Sequence, residues 1–233
     1  MLILAFETSA KAGSVALLDG DKLLGDNYQN TGLTHSQTVL AMAQTLMESC
    51  GCSPSDIQAV AVAAGPGSFT GVRIGVAAAK GFAWGGSLPC YGVSTLEAMA
   101  LQLGIWQGYV LPVMDARRNQ VYNALFHVRE GKPERLCPDR AIALEDLAQE
   151  IKNLSEPVFL VGDGSILCYN TLKATVPGLV LPPEHRQHQR ATGVGLAALR
   201  MIASGEPGDG GALAPNYLRL SQAERERLAR EQK

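Results

Sequence analysis

The chain has 233 residues, 46% hydrophobic and 18% charged, with a formal net charge of −2 and a pI of about 6.1. A chain this long buries about 70% of the surface its unfolded form exposes, which supports one large or two small domains. The composition excludes a disordered chain, and the charge excludes a broad basic face that holds nucleic acid by charge alone. No apolar run reaches the ~18–20 residues of a membrane helix.

The opening MLILAFETS lacks the charged region and cleavage site of a secretory leader. Leu2–Phe6 is a short apolar run, the pattern of a buried strand. Gly13–Leu18 and Lys22–Tyr28 flank Asp19-Gly20, a hairpin signal. Thr34-His35-Ser36-Gln37 reads as a capping box that opens a helix to Cys50, with Gly51 as its stop. Gln58–Ala64 is a second apolar strand. It enters Gly65-Pro66-Gly67-Ser68, and a helix follows to about Trp84. A strand at Leu88–Val93 and a helix capped by Ser94 and Glu97 complete the first half.

The same order then repeats. Tyr109–Met114 is an apolar strand ending in Asp115, and Val121–Val128 and Glu134–Cys137 flank a second hairpin signal, Glu130-Gly131. A helix near Leu144–Asn153 precedes a strand at Pro157–Val161, which enters Gly162-Asp163-Gly164-Ser165 and another helix. Glu7 aligns with Asp115, Asp19-Gly20 with Glu130-Gly131, and Gly65–Ser68 with Gly162–Ser165. Three landmarks in one order predict a duplicated β-β-β-α-β-α unit and an α/β chain with a ligand-accepting cleft between its halves. Pro182–Arg190, with His185 and His188, reads as a solvated polar loop, and Ala191–Ser204 as a helix. A Gly/Pro/Ala linker, Gly205–Pro215, leads to Asn216–Arg219 and a charged helical segment capped by Ser221. The expected domains are residues 1–106 and 107–212, with a tail at 213–233 that packs back on the first.

Four features bear on chemistry. Gly65-x-Gly67-x-x-x-Gly71 follows a strand and opens a helix, so its N–H groups could hold an anion. It lacks the lysine of a phosphate loop, and Thr70 stands where a dinucleotide fingerprint has its third glycine. The alternative is a tight turn with close helix packing, since Gly71, Gly75, Ala78, Gly81 and Gly85 share one side of the helix. For a metal, His35 needs a second ligand four residues on, and that position is Val39. The five cysteines include no Cys-x-x-Cys pair and read as reduced thiols of a cytoplasmic protein. Glu7, Thr8 and Ser9, with Asp115 and Arg117, follow buried strands and point into the expected cleft, as do Gly162 and Gly164. Paired acids there suit magnesium-bound phosphate; the competing reading is ordinary strand-end pairing of Asp115 with Arg117 or Arg118. On the helix from Thr34, the residues Val39, Leu40, Met42, Ala43, Leu46, Met47 and Cys50 cover about 160° of arc, wider than one core face needs. This predicts either deep burial or a protein interface.

Leu2–Ser9, Thr34-His35-Ser36, Gly65–Gly75, Ser94–Glu97, Met114–Arg118 and Pro215–Arg219 together resemble the TsaB (YeaZ) family. The resemblance implies an actin-like ATPase fold. It also implies a role in forming threonylcarbamoyladenosine beside the tRNA anticodon, as the non-catalytic partner of the paralogous transferase TsaD. TsaD carries a metal-binding His-x-x-x-His on its first long helix; here the matching residues are His35 and Val39, so neither metal nor catalysis carries over. The expected state is a cytoplasmic heterodimer with TsaD that supports assembly with TsaE. It would be a homodimer when alone, touch tRNA only through the complex, and have no cofactor and no membrane contact. The implied interface lies on two helices, at His35, Val39, Met42, Ala43 and Leu46, with Arg73, Ile74, Ala77 and Ala78 opposite. An ATP-dependent phosphotransferase using Glu7 and Asp115 is the alternative, with a metal-dependent peptidase behind it.

Overall fold

The computed structural model describes residues 1–219. The first five strands are β1 (Leu2–Glu7), β2 (Gly13–Asp19), β3 (Lys22–Gln29), β4 (Ala59–Gly65) and β5 (Cys90–Ser94). They form one sheet in the order β3-β2-β1-β4-β5, antiparallel through β1–β2–β3 and parallel from β1 to β5. Three helices belong to this half: α1 (His35–Ser49), α2 (Phe69–Gly86) and α3 (Thr95–Leu103).

The second half carries β6 (Gly108–Arg117), β7 (Gln120–Asn123), β8 (Phe126–Arg129), β9 (Lys132–Arg135), β10 (Arg140–Ala143), β11 (Val158–Val161) and β12 (Leu179–Val180). Its helices are α4 (Leu144–Ile151), α5 (Ser165–Leu172) and α6 (Ala191–Ala203). The main path of its sheet runs β10-β7-β6-β11-β12, the same pattern as the first. The duplicated architecture is therefore present, but one aligned landmark is not equivalent. The counterpart of β3 is β10, which pairs with β7, whereas Glu130-Gly131 is the tip of an extra hairpin, β8–β9. The expected strand Val121–Val128 is broken at Ala124-Leu125, where Leu125 turns its N–H toward the Cys137 sulfur at 3.2 Å. The periodicity runs through the break because both sides of it are buried.

Two further expectations fail locally. Thr34 precedes α1, but its hydroxyl bonds Ser36 Oγ at 2.7 Å and caps no backbone N–H, so the capping box does not form. The segment 182–190 is a solvated loop only in part: Pro183–Arg186, with His185, are exposed, whereas Gln187 is 5% and Gln189 0% exposed, and the Gln102 side chain bonds the His188 carbonyl and the Arg190 N–H.

Period-two alternation sorts β1 between two cores. Leu4 and Phe6 meet Val39, Met42, Leu46, Val72 and Val76 of α1 and α2. Ile3 and Ala5 face the other way, toward Val194 and Ala198 of α6. That face is mostly alanine (Ala5, Ala16, Ala59, Ala61, Ala63), which brings α6 close to the strands. Thus α6, although late in sequence, packs on the first sheet and on α3, and α3 in turn meets β6 of the second. The far face of the second sheet is covered by α4 and α5 through Leu147, Ile151, Cys168 and Leu172. No helix among the described residues is long and apolar enough to cross a membrane.

Residues 213–219 run across both halves. Leu213 joins the core under α2, Asn216 donates its N–H to the Ala64 carbonyl at 2.6 Å, and Leu218 packs in the core of the second sheet. The charged segment expected from Ser221 lies outside the described residues.

Candidate functional site

Between the ends of the two sheets lies a cavity of about 490 Å³, lined by Ser9, Lys11, Phe69, Asp115, Arg117, Asp163 and Arg219 among others. Each half contributes a strand end and a glycine turn. In the first, Gly67 presses so close to Ser9 that a Cβ would lie 2.5 Å from the Ser9 carbonyl oxygen. In the second, a Cβ on Gly164 would lie 3.0 Å from the Asp115 nitrogen. Both turns therefore need glycine for close backbone approach. Their N–H groups are also used inside the chain. Ser68 donates to Ser9 O at 2.7 Å, Gly162 to Gln187 O at 2.6 Å and Gly164 to Val113 O at 3.1 Å. This favours the packing reading of the glycine motif over the anion reading. It extends along α2, where Gly71 and Gly75 both abut Thr8, whose hydroxyl donates to Gly71 O at 2.8 Å. The small-residue side is not one continuous seam, because Gly81 and Gly85 meet nothing within 4 Å.

Glu7 ends β1 at the floor of this region and is wholly buried. Its Oε1 accepts the Ser9 N–H at 2.6 Å, while Oε2 has no partner. Burial pushes its carboxyl up to about 7, against the lowering effect of the Ser9 bonds. Asp163, in the turn after β11, is also pushed up, to about 6, by burial and by the neighbouring Asp115 charge. Ser9 Oγ and the Gln189 side chain are also buried, the first beside the Glu7 carboxyl and the second beside that of Asp163. Asp115 takes the strand-end pairing: its Oδ1 accepts the Arg117 N–H at 2.7 Å, and its Oδ2 lies 3.3 Å from the Arg117 guanidinium. Glu7, Thr8, Ser9, Asp115, Arg117, Gly162 and Gly164 are thus gathered at one end of the two sheets. Sequence reasoning missed Asp163, Gln189 and Arg219 as parts of this region. Asp163 was legible from its place between two glycines after a strand; Gln189 and Arg219 arrive from distant segments and carry no local signal.

The expected interface residues separate into two layers. Val39, Met42, Ala43 and Leu46 are 2–7% exposed and lie in the chain's own core. Arg73 and Ala77 are exposed, and Ile74, Ala78 and His35 are half-buried. His35 Nε2 is 2.7 Å from the Ala10 carbonyl, which anchors the β1–β2 turn to α1. Arg73 Nε donates to Tyr217 Oη at 2.6 Å, and Tyr217 stacks on Phe69 at 4.6 Å. The surface outside these two layers keeps Leu40 54% and Trp84 87% exposed. The position four residues beyond His35 is filled by the buried aliphatic Val39. Among the described residues, no three His, Cys, Asp or Glu side chains gather as a metal site.

A family model described as TsaD, tRNA N6-adenosine threonylcarbamoyltransferase, matches residues 29–226. A Bacillus subtilis protein named tRNA threonylcarbamoyladenosine biosynthesis protein TsaB is 34% identical over 224 residues, 96% of each chain. Its Escherichia coli namesake is 42% identical over 135 residues, 56% of this chain and 57% of that one. The solved structure of YeaZ from Pseudomonas aeruginosa is similar at a TM-score of 0.74 and 26% identity, over 93% of this chain and 99% of that one. Component A of the Acidaminococcus fermentans (R)-2-hydroxyglutaryl-CoA dehydratase is similar at a TM-score of 0.50 and 11% identity, over 87% of this chain and 99% of that one, a likeness of fold alone.

Proposed function

Because the chain belongs to the TsaB family, we propose that it serves threonylcarbamoyladenosine formation on tRNA as a non-catalytic partner of the transferase TsaD. Its fold is the actin-like one, two β-β-β-α-β-α halves facing a cleft. The observation that carries the reading is at Val39. A transferase of this fold using His35 as a metal ligand needs a second donor one helical turn on, and there the chain places a buried hydrocarbon. A residue committed to the core under α1 leaves the helix free to be a docking element.

The contact we propose runs along the outward sides of α1 and α2, through Leu40, Arg73, Ile74, Ala77 and Ala78, with His35 at its edge. Val39, Met42, Ala43 and Leu46 hold α1 against the sheet beneath it. Small residues on α2 allow a second pair of helices to approach closely, and the same face would join two copies when TsaD is absent. TsaE would add to the heterodimer rather than to this chain alone. We take residues 1–106 and 107–212 as the two halves in sequence, with α6 of the second returning to pack on the first sheet, and 213–233 as a tail.

Sedimentation velocity of this chain with purified TsaD tests the interface. Leu40→Glu and Ala78→Glu should each weaken association at least tenfold while the far-UV spectrum stays native. Undiminished association by both would place the contact elsewhere.

A further inference from the structure

The cavity between the sheets has a basic rim that the partner role does not use. Lys11 comes from the β1–β2 turn, Arg117 from the β6–β7 turn and Arg219 from the strap 213–219, and all three line the opening. Arg118 stands beside Arg117 and is exposed, as is Lys11. Arg117 shares its charge with Asp115 but its side chain is 86% exposed. Arg219 donates to the Ala116 carbonyl at 2.5 Å, and among the described residues this is its one hydrogen bond. Among the described residues nothing pairs with Lys11 or Arg118.

The turn that presents the arginines is held in an unfavourable form. Arg117, Arg118 and Asn119 have φ of 64°, 58° and 55°, three consecutive non-glycine residues in the left-handed region. Arg118 and Asn119 occupy the two central positions between the paired residues Arg117 and Gln120, where glycine or asparagine suits the positive φ. Arginine is disfavoured in such a position, so the turn holds the Arg118 side chain outward at a cost in backbone strain. The lip also carries an aromatic surface: Phe69 lines the cavity and is held in place from behind by Tyr217, which stacks on it and is itself held by Arg73. Cations tracking a backbone beside a stacking platform are the elements of single-stranded nucleic-acid recognition. Asp115 and Asp163 line the same cavity, so the cations stand at its rim and the carboxyl groups deeper in it.

We infer that the cleft rim formed by Lys11, Arg117, Arg118 and Arg219, with the Phe69–Tyr217 stack, is a direct contact site for the sugar-phosphate backbone of an unpaired RNA segment. This rests on the proposed role in tRNA modification and replaces the expectation that tRNA is touched only through the partner. Four backbone contacts to single-stranded RNA give a log–log salt slope of about −3.

The test is fluorescence anisotropy of labelled tRNA titrated with the full chain at 50 and 200 mM salt. It is run with Lys11→Glu, Arg118→Glu and, as a distant control on the extra hairpin, the exposed Lys132→Glu. The rim variants should lose at least tenfold in affinity and about 0.7 in slope per cation removed, the control under twofold, and millimolar Mg-ATP should not displace the RNA. Equal losses in rim and control variants, no loss at the rim, or displacement by Mg-ATP would each overturn the inference. The last outcome would assign the rim to a nucleotide. If modification depends on the chain while rim variants bind RNA normally, this inference fails alone. If rim binding holds but modification proceeds without the chain, the partner reading fails instead.

Discussion

Glu7→Gln isolates the electrostatic cost of the cleft floor. Burial holds the Glu7 carboxyl at about 7 where its ordinary value is 4.5. Between those two pH values the folded chain keeps a proton that the unfolded chain has lost, so stability falls as pH rises through the window. Below it both states are protonated and the group contributes nothing; well above 7 the native chain bears the full cost, at most about 3 kcal/mol. Glutamine keeps the shape and the Oε1 acceptor for the Ser9 N–H, and removes the titration. Urea unfolding at pH 4.5, 6 and 8 should show the variant within about 0.5 kcal/mol of the native chain at the lowest pH. At pH 8 it should be more stable by up to about 3 kcal/mol, a shift in Tm of about 6–12 °C for a chain of this size. A stability difference that does not change with pH would refute the assignment of Glu7 as a buried, strained carboxyl.

Other perturbations separate packing from surface roles. Gly71→Ala places a methyl group into the Thr8 carbonyl and should cost about 1–3 kcal/mol, whereas Gly81→Ala, in open space on the same helix, should gain about 1 kcal/mol; chemical denaturation reads both. Arg118→Gly relieves a left-handed arginine and should stabilise the fold by about 1 kcal/mol while weakening RNA binding, a trade read by thermal melts beside anisotropy. Met42→Glu forces a charge into the core, since Met42 is 3% exposed, and should unfold the chain or cost more than about 4 kcal/mol. Ala78→Glu, half-buried at the surface, should keep the fold and lose only association, which sedimentation and circular dichroism together distinguish.

Much of the architecture is legible because it is written in local patterns. The apolar runs that became β1, β4, β6 and β11 alternate or saturate in hydrophobicity, and the two glycine turns follow them at matching places. The glycine motif itself was ambiguous between anion binding and packing. Only the backbone approach of Gly67 to Ser9 and of Gly71 to Thr8 decides between them. The second hairpin misled because turn chemistry marks a reversal but not its partner: Glu130-Gly131 does reverse the chain, yet the strand that completes the duplicated unit is β10. The wide apolar arc of α1 leaves deep burial and a partner face open, and the chain buries most of it, because α1 packs on the sheet and beside α2. Exposure of Leu40 rather than Met42 is a fact of helix rotation that composition does not carry. Polarity predicts the exposure of Pro183–Arg186 but not the burial of Gln187 and Gln189, whose surroundings come from Gly162 and Asp163, far away in sequence.

The central claim is that this chain is required for threonylcarbamoyl transfer without supplying its chemistry. The direct measurement is threonylcarbamoyladenosine formed on tRNA by purified TsaD and TsaE with ATP and threonylcarbamoyl-adenylate, with and without this chain. Modification should depend on the chain, survive Glu7→Gln and Asp163→Asn with most of its rate, and disappear with Ala78→Glu. Full modification in the chain's absence, or its abolition by Glu7→Gln in a complex that still assembles, would contradict the account.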